Sequence, residues 1–335
     1  MEEYVKLFID ESYPNFIDKY LTTETLKRIK HVSQFCGCDY TNLYSPLFFY
    51  TRFDHSRVVA LMTWHFTHDK KATIAALLHD VGTPCFAHCI DYVFGDYMNQ
   101  ETSEKSINEM IQTDTVLLQY LKEDGIEEQD LEDLKKYPIL ENTAPKLCTD
   151  RLDGVLHTCY IWLHTHTLAE VKEVYNNVTV LINEEGKQEL GFKDKKIAEK
   201  FVEMTATYAK ELQGNTDKYV MKYVSEVVKD AFYENLICLD DLYTKKEEEI
   251  VSIFANNFYS WKEFQSANHL IGTEEEPSNF YISFATKKRN VIPLLQTDEG
   301  DKRINTVSES SKEIYSMLEE YQDTKYAYVD GIKHI

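Results

Sequence analysis

His79 and Asp80 close the apolar run Thr73-Ile-Ala-Ala-Leu-Leu-His-Asp80, with His55 upstream and Asp150 downstream. Two imidazoles and two carboxylates could together hold one divalent ion. Mixed nitrogen and oxygen donors suit Mn, Fe, Co or Ni, and Mg less readily, whereas a structural zinc would favour cysteine. Four protein ligands leave one or two positions open on an octahedral ion. Hydrolysis needs that opening, because a bound divalent ion lowers the pKa of its water towards about 7 and stabilises charge on an attacked phosphorus. The expectation is one divalent metal per chain, with zinc the poorest fit. A second His-Asp pair, His68-Asp69, runs into Lys70-Lys71, where Asp69 reads as a helix N-cap. His79-Asp80 instead follows a buried-looking helix and meets Gly82, a helix stop. The competing reading makes His55 and His79 satisfied core histidines and Asp150 a cap; it serves each residue singly better than all four together.

After Gly82 the chain reads Thr83-Pro-Cys-Phe-Ala-His-Cys-Ile-Asp91, which predicts a helix with Thr83 as N-cap and Pro84 at its first position. His88 and Asp91 then stand three apart on one face. A carboxylate so placed can hold one imidazole nitrogen while the other points at a substrate, the logic of an oriented acid/base pair. An ordinary surface pair has the same spacing.

Three helices must bring these groups together. His55 lies in Arg52-Phe-Asp-His-Ser-Arg57, where a helix should begin with Asp54 or Ser56 as its cap. The next helix, from about Lys70, presents Ala72, Ala75, Ala76 and His79 along one side, and small residues let a neighbour approach closely. Asp150, in Thr149-Asp-Arg-Leu-Asp-Gly154, leads a third helix beside them. His65, His157, His164 and His166 could line a site, but read first as plain helix residues.

Around this centre, most of residues 15 to 175 reads as helix, with turn-rich interruptions around Cys36 to Pro46 and a strongly acidic stretch at Glu123 to Lys136. Val178 to Ile182 and Gln188 to Phe192 flank Asn183-Glu-Glu-Gly-Lys, a β-hairpin with Gly186 at its turn. Helix resumes at Asp194, an N-cap, and runs to about Glu263. Beyond it, Phe280 to Phe284, Asn290 to Pro293 and Lys325 to Val329 look extended, and Ser308 to Tyr321 looks helical. The expected fold is mainly α: a helical bundle over 1–175, a β-hairpin with a helical extension over 176–270, and a small α+β C-terminal lobe over 271–335.

With 335 residues the chain can bury a large core, and length alone argues for roughly two domains. Against 36 Lys+Arg stand 57 Asp+Glu, a net charge of −21, which disfavours nonspecific nucleic-acid binding. A small anionic substrate stays compatible if a metal and a few arginines reverse the potential locally. No apolar stretch approaches the roughly 20 residues of a membrane span, and the acidic N-terminus lacks the layout of a signal peptide. Seven cysteines without CxxC spacing fit free thiols in a reducing compartment. A cytoplasmic protein is expected; its oligomeric state stays open.

In order along the chain, Leu26-Lys-Arg-Ile-Lys-His-Val-Ser-Gln34, Arg52-Phe-Asp-His-Ser56, His79-Asp-Val-Gly82, Phe86-Ala-His88 with Asp91, and Asp150-Arg-Leu-Asp153 resemble the HD-superfamily metal-dependent phosphohydrolases. The nearest branch is that of the deoxynucleoside triphosphate triphosphohydrolases, which includes the SAM-and-HD-domain proteins. The resemblance covers about residues 26 to 160. It implies an HD-domain helical bundle with His55, His79, Asp80 and Asp150 as metal ligands, Arg52 and Arg151 on phosphate, and Gln34 near the nucleoside. His88 and Asp91 would form the catalytic pair, with Glu101 in the place of the glutamate of a further His-Glu pair. Three departures stand out: Thr83 and Gln100 replace histidines, and Thr158 replaces an arginine. Losing these groups removes acid/base and phosphate contacts. The expected activity is therefore hydrolysis of a nucleotide or similar phosphate ester. The alternatives are a phosphomonoesterase on another small ester and a nucleotide-binding regulatory protein with weak or absent catalysis.

Overall fold

The protein is described by a computed structural model over residues 1–96, 98, 107–286 and 288–334. It is mainly α, with small β elements. The helix that carries His55, α1 (Arg52–Thr67), starts where Thr51 and Asp54 cap each other. The Thr51 hydroxyl lies 2.6 Å from Asp54 Oδ2 and accepts the Asp54 N–H at 3.1 Å, while Asp54 accepts the Thr51 N–H at 3.2 Å. Thr51 is thus the cap expected at Asp54 or Ser56, and Asp54 takes the third helical position, from which a carboxylate reaches back to the cap.

The chain reverses through His68, at φ +49°, into α2 (Lys70–Leu78). Asp69 caps α2 as expected, accepting the Lys71 and Ala72 N–H groups at 2.8 and 3.1 Å. From Ala72 to Leu78 every residue of α2 is buried, and it packs closely on α1. His79 ends α2 at the inner end of that pair.

The expected helix from Pro84 does not form. Phe86 and Ala87 take φ of +62° and +45°, a left-handed pair that a right-handed helix cannot contain, so α3 runs only over Cys89–Val93. Residues 15 to 35 likewise form short pieces, such as Asn15–Ile17 and Glu24–Arg28, rather than long helices, and the expected turns around Cys36 to Pro46 follow, with the short Cys38–Tyr40 among them. Pro14, Gly37 and Pro46 punctuate that stretch too often for several turns to propagate.

The third helix of the centre, α4 (Thr149–His157), lies against α1, where the Thr63 and Thr149 hydroxyls meet at 2.8 Å in a buried contact. Two helices of 19 residues, α5 (Lys195–Gln213) and α6 (Asn215–Tyr233), follow the hairpin, and Asp194 caps α5. The α5 residues Ala198, Phe201, Val202, Thr205 and Ala209 form its buried stripe.

The expected hairpin strands β1 (Val178–Ile182) and β2 (Gln188–Phe192) pair with Val178 opposite Phe192, and Gly186 stands at φ +74° in the turn. The C-terminal residues contribute β3 (Ile271–Thr273), β4 (Tyr281–Ile282), β5 (Leu294–Leu295), β6 (Lys302–Arg303) and β7 (Tyr326–Tyr328). Of these, β5 joins β2 in parallel and β6 joins β5, extending the hairpin to the four-stranded order β1-β2-β5-β6. Gly191 makes this possible, since a Cβ there would sit 2.6 Å from the Leu294 carbonyl oxygen. A separate sheet has the order β3-β7-β4. One apolar cluster runs from Tyr4 and Phe8 through α1, α2 and α4 to Ile304, Tyr315 and Val329. No described helix is long and apolar enough to cross a membrane.

Candidate metal centre

The ends of α1, α2 and α4 bring His55, His79, Asp80 and Asp150 to one point. His55 Nε2 lies 3.1 Å from Asp150 Oδ1 and 3.9 Å from Asp80 Oδ2. His79 Nε2 lies 3.7 Å from each of the same two oxygens. Bonds of about 2.1 Å to one ion would place neighbouring donors roughly 3 Å apart, close to this spacing. His79 supplies the deciding detail. Its Nδ1 is 2.6 Å from the Ala76 carbonyl, which fixes Nδ1 as the protonated nitrogen, while Nε2 is buried without a hydrogen-bond partner. A buried, unpartnered imidazole lone pair between two carboxylates fits a cation. The Asp150 side chain is 31 % exposed against 10 % for Asp80, so the cluster opens at the Asp150 edge.

Electrostatics give the same picture. Burial opposes charge on His55, yet its hydrogen bonds with Asp150 and Asp153 and the nearby Asp80 hold its pKa up to about 10. Burial likewise opposes charge on His79, which is nonetheless raised by Asp80 and Asp150. Asp80 would be pushed up by burial, but Arg52 and the two imidazoles hold it well below the carboxylate range. Positive charge is thus demanded at this point, and a divalent ion can supply it in place of protons.

Asp153, one turn beyond Asp150, went unrecognised in the sequence. It is fully buried and accepts the Tyr4 hydroxyl at 2.6 Å and the Tyr50 hydroxyl at 3.0 Å; His55 Nδ1 lies at 2.6 Å and His157 Nδ1 at 3.3 Å. A carboxylate holding Nδ1–H leaves Nε2 as the nitrogen of His55 that could take a metal. His55, Asp153 and His157 also form a cluster of metal-ligand type, but its donors already saturate Asp153. The sequence did hold one signal: Asp153 and His157 are four apart on α4, facing one side. His157 is therefore a buried partner of the centre rather than a plain helix residue.

The remaining site residues separate. Arg52 Nη1 pairs with Asp80 Oδ2 at 3.0 Å, and its Nη2 lies 3.8 Å from Cys36 Sγ. Gln34 lies beside the Ser33–Thr51 bridge that precedes α1, with its Oε1 buried and without a hydrogen-bond partner. Arg151 turns to the loop before α4, bonding Glu141 at 2.6 Å, Asn142 and the Lys146 carbonyl. It holds that loop rather than facing His79. Glu141 is pushed up to about 7 by burial and by Asp150, against Arg151. Thr158 is buried, so its position faces the core. His88 Nδ1 meets Asp91 Oδ2 at 3.0 Å, with Asp91 fully buried, as the spacing required. Glu101 and Gln100 lie outside the described residues, as does Lys287 of the basic segment Lys287 to Pro293. In that segment Arg289 hydrogen-bonds Tyr208 of α5, whose pKa is raised by burial, lowered by Arg289 and raised by Asp150.

No family model matches the chain. The uncharacterized protein YdhJ of Bacillus subtilis strain 168 is 28% identical over 209 residues, which are 61% of this chain and 60% of that protein. The chain therefore spans less than two thirds of that relative. In fold it is similar to a hypothetical protein from Aquifex aeolicus whose crystal structure was solved at 2.0 Å resolution. That similarity has a TM-score of 0.60 and 16% identity, and covers 96% of this chain and 93% of the other.

Proposed function

We propose that this protein is a metal-dependent phosphohydrolase acting on a nucleotide or similar small phosphate ester. The unpartnered Nε2 of His79, set between Asp80 and Asp150 and facing His55, carries the reading. His55, His79, Asp80 and Asp150 would hold a divalent ion, which would supply Lewis acidity towards water and a phosphoryl oxygen. The chain's own groups do the rest. Asp153 fixes the His55 tautomer, and the Ala76 carbonyl fixes that of His79. Arg52, anchored on Asp80, keeps a guanidinium beside the anionic end of a substrate entering past Asp150. His88, oriented by Asp91, delivers a proton to the leaving oxygen. With Arg151 engaged by Glu141 and Thr158 buried, the cationic contacts are few, which favours an ester with a short phosphate chain over cleavage at the α-phosphate of a triphosphate. A cytoplasmic location accords with the free thiols of all seven cysteines.

The test is a panel of nucleotides and phosphomonoesters with purified protein in Mn, Co, Ni or Mg, following release of phosphate or triphosphate. Turnover that His79→Ala with Asp80→Ala abolishes is the expected result. Turnover surviving that double change would overturn the site. Tight nucleotide binding without turnover in metal-replete buffer would instead favour the regulatory reading.

A further inference from the structure

Glu247 is the first residue of α7 (Glu247–Asn257), far along the chain from the metal centre and fully buried. Its carboxylate gathers donors from two distant segments. Oε2 accepts the Phe86 N–H at 2.7 Å, and Oε1 accepts the Tyr40 hydroxyl at 2.8 Å and the Ser33 N–H at 3.4 Å. Both segments belong to the site. Ser33 bridges Thr51, the cap of α1, and precedes Gln34. Phe86 and Ala87 are the left-handed pair immediately before His88, at φ of +62° and +45°.

Non-glycine residues rarely hold such a conformation, and two in succession persist only where the surroundings impose it. The flanks of this loop are tied elsewhere: Arg28 Nη2 donates to the Val81 and Thr83 carbonyls at 2.6 and 2.7 Å, and Cys85 N–H donates to the Leu242 carbonyl at 2.9 Å. Glu247 alone among the described side chains grips the N–H of the strained pair. Just beyond it, Cys89 Sγ donates to the Cys36 carbonyl at 2.9 Å, and Cys36 Sγ lies 3.8 Å from Arg52 Nη2. A path of contacts thus runs from Glu247 through the loop to Arg52 and Asp80.

We propose that Glu247 is a positioning residue, which clamps the Phe86–Ala87 loop to the Ser33–Tyr40 segment and so sets where His88 stands relative to the metal centre. This rests on the phosphohydrolase reading for the role of His88, but the clamp itself does not. Glutamine in its place keeps the size and one acceptor while turning an NH2 group towards one of the donors. Removing the Tyr40 hydroxyl loosens the same clamp from its other oxygen.

The experiment compares the full-length wild type with Glu247→Gln and Tyr40→Phe. Hydrogen exchange over residues 83–91, the ring nitrogen shifts of His88, and turnover of the best phosphate ester in Mn are read, each variant also in a His88→Ala background. Glu247→Gln should speed exchange in that loop about tenfold or more and move the His88 ring shifts towards those of a free histidine. It should lower kcat about 10- to 100-fold with KM and Mn affinity nearly unchanged, and cost almost nothing further once His88 is gone. Tyr40→Phe should give a smaller change of the same kind, and decides the matter alone if Glu247→Gln does not fold. Unaltered exchange and His88 shifts in a folded variant would overturn the clamp, as would equal kcat losses with and without His88. If the wild type turns over no ester, the phosphohydrolase reading fails, while exchange and ring shifts still decide the role of Glu247.

Discussion

Glu189 and Asp80 are both buried carboxylates that meet an arginine, yet their surroundings differ in kind. Glu189, in β2, accepts the Leu147 N–H at 3.1 Å, Asn183 Nδ2 at 3.1 Å and both terminal nitrogens of Arg303, one of them at 2.7 Å. Arg303 in turn reaches the Ile292 carbonyl at 2.8 Å and Glu184. Donors and acceptors close on themselves, tying the hairpin to β6. Asp80 has Arg52 on one oxygen, but beside it Asp150 and the bare Nε2 of His79 leave the cluster open. A closed polar network makes structure, whereas an open one with converging lone pairs is built around something else. A third case, Asp217, has Cys38 Sγ at 3.9 Å as its one hydrogen-bond donor among the described residues, and its carboxyl is raised to about 8 by burial and by Glu211 against Arg289.

Substitutions can break this contrast in order of expected size. His79→Ala with Asp80→Ala should abolish metal binding and lower turnover at least about a thousandfold, with some stability lost because Arg52 is left buried without Asp80. Metal binding unchanged in the folded variant would mean that the open cluster is structural after all. Arg303→Met should do the reverse. Leaving Glu189 buried and unpaired, it should cost about 3–5 kcal/mol in urea unfolding with metal affinity intact.

Asp153→Asn lies between these extremes, because Asp153 is closed like Glu189 yet serves the open cluster through His55. It should weaken Mn or Co affinity about 10- to 100-fold by isothermal titration with the fold preserved. Unchanged affinity would confine Asp153 to the core. For Asp217, the folded chain keeps a proton that the unfolded chain has already lost above about pH 4. The stability this confers is fully present below that pH and is lost as pH rises through about 8. Asp217→Asn should flatten that decline and stabilise the protein by about 1 kcal/mol at the alkaline end, read as the pH dependence of chemical unfolding. A parallel decline in the variant would assign the slope to other groups.

Much of the candidate centre was legible because its His and Asp residues sit where local rules are strong. Asp69 caps α2, the small residues of α2 admit α1, and His79 falls at the end of an apolar run that must be buried. The hairpin followed from its two extended segments and from Gly186 between them. Misreadings fell where a local pattern was overruled. Pro84 is a sound helix opener, but the Phe86 N–H goes to Glu247 and the backbone turns left-handed. Arg151 has the charge for phosphate, but Glu141 and Asn142, in a loop without periodicity, claim it first.

The sequence by itself determined which residues could bind a metal, the helices carrying them and the acidity of the chain, since periodicity, capping and charge are written within a few residues of one another. Only the tertiary structure decided that His55 and His79 face the same two carboxylate oxygens, that Asp153 holds the back of His55, and that Glu247 reaches the loop before His88. Apart from that of His79 with its neighbour Asp80, those contacts join residues 25 to 161 positions apart, where no short-range rule acts and packing alone sets the distance.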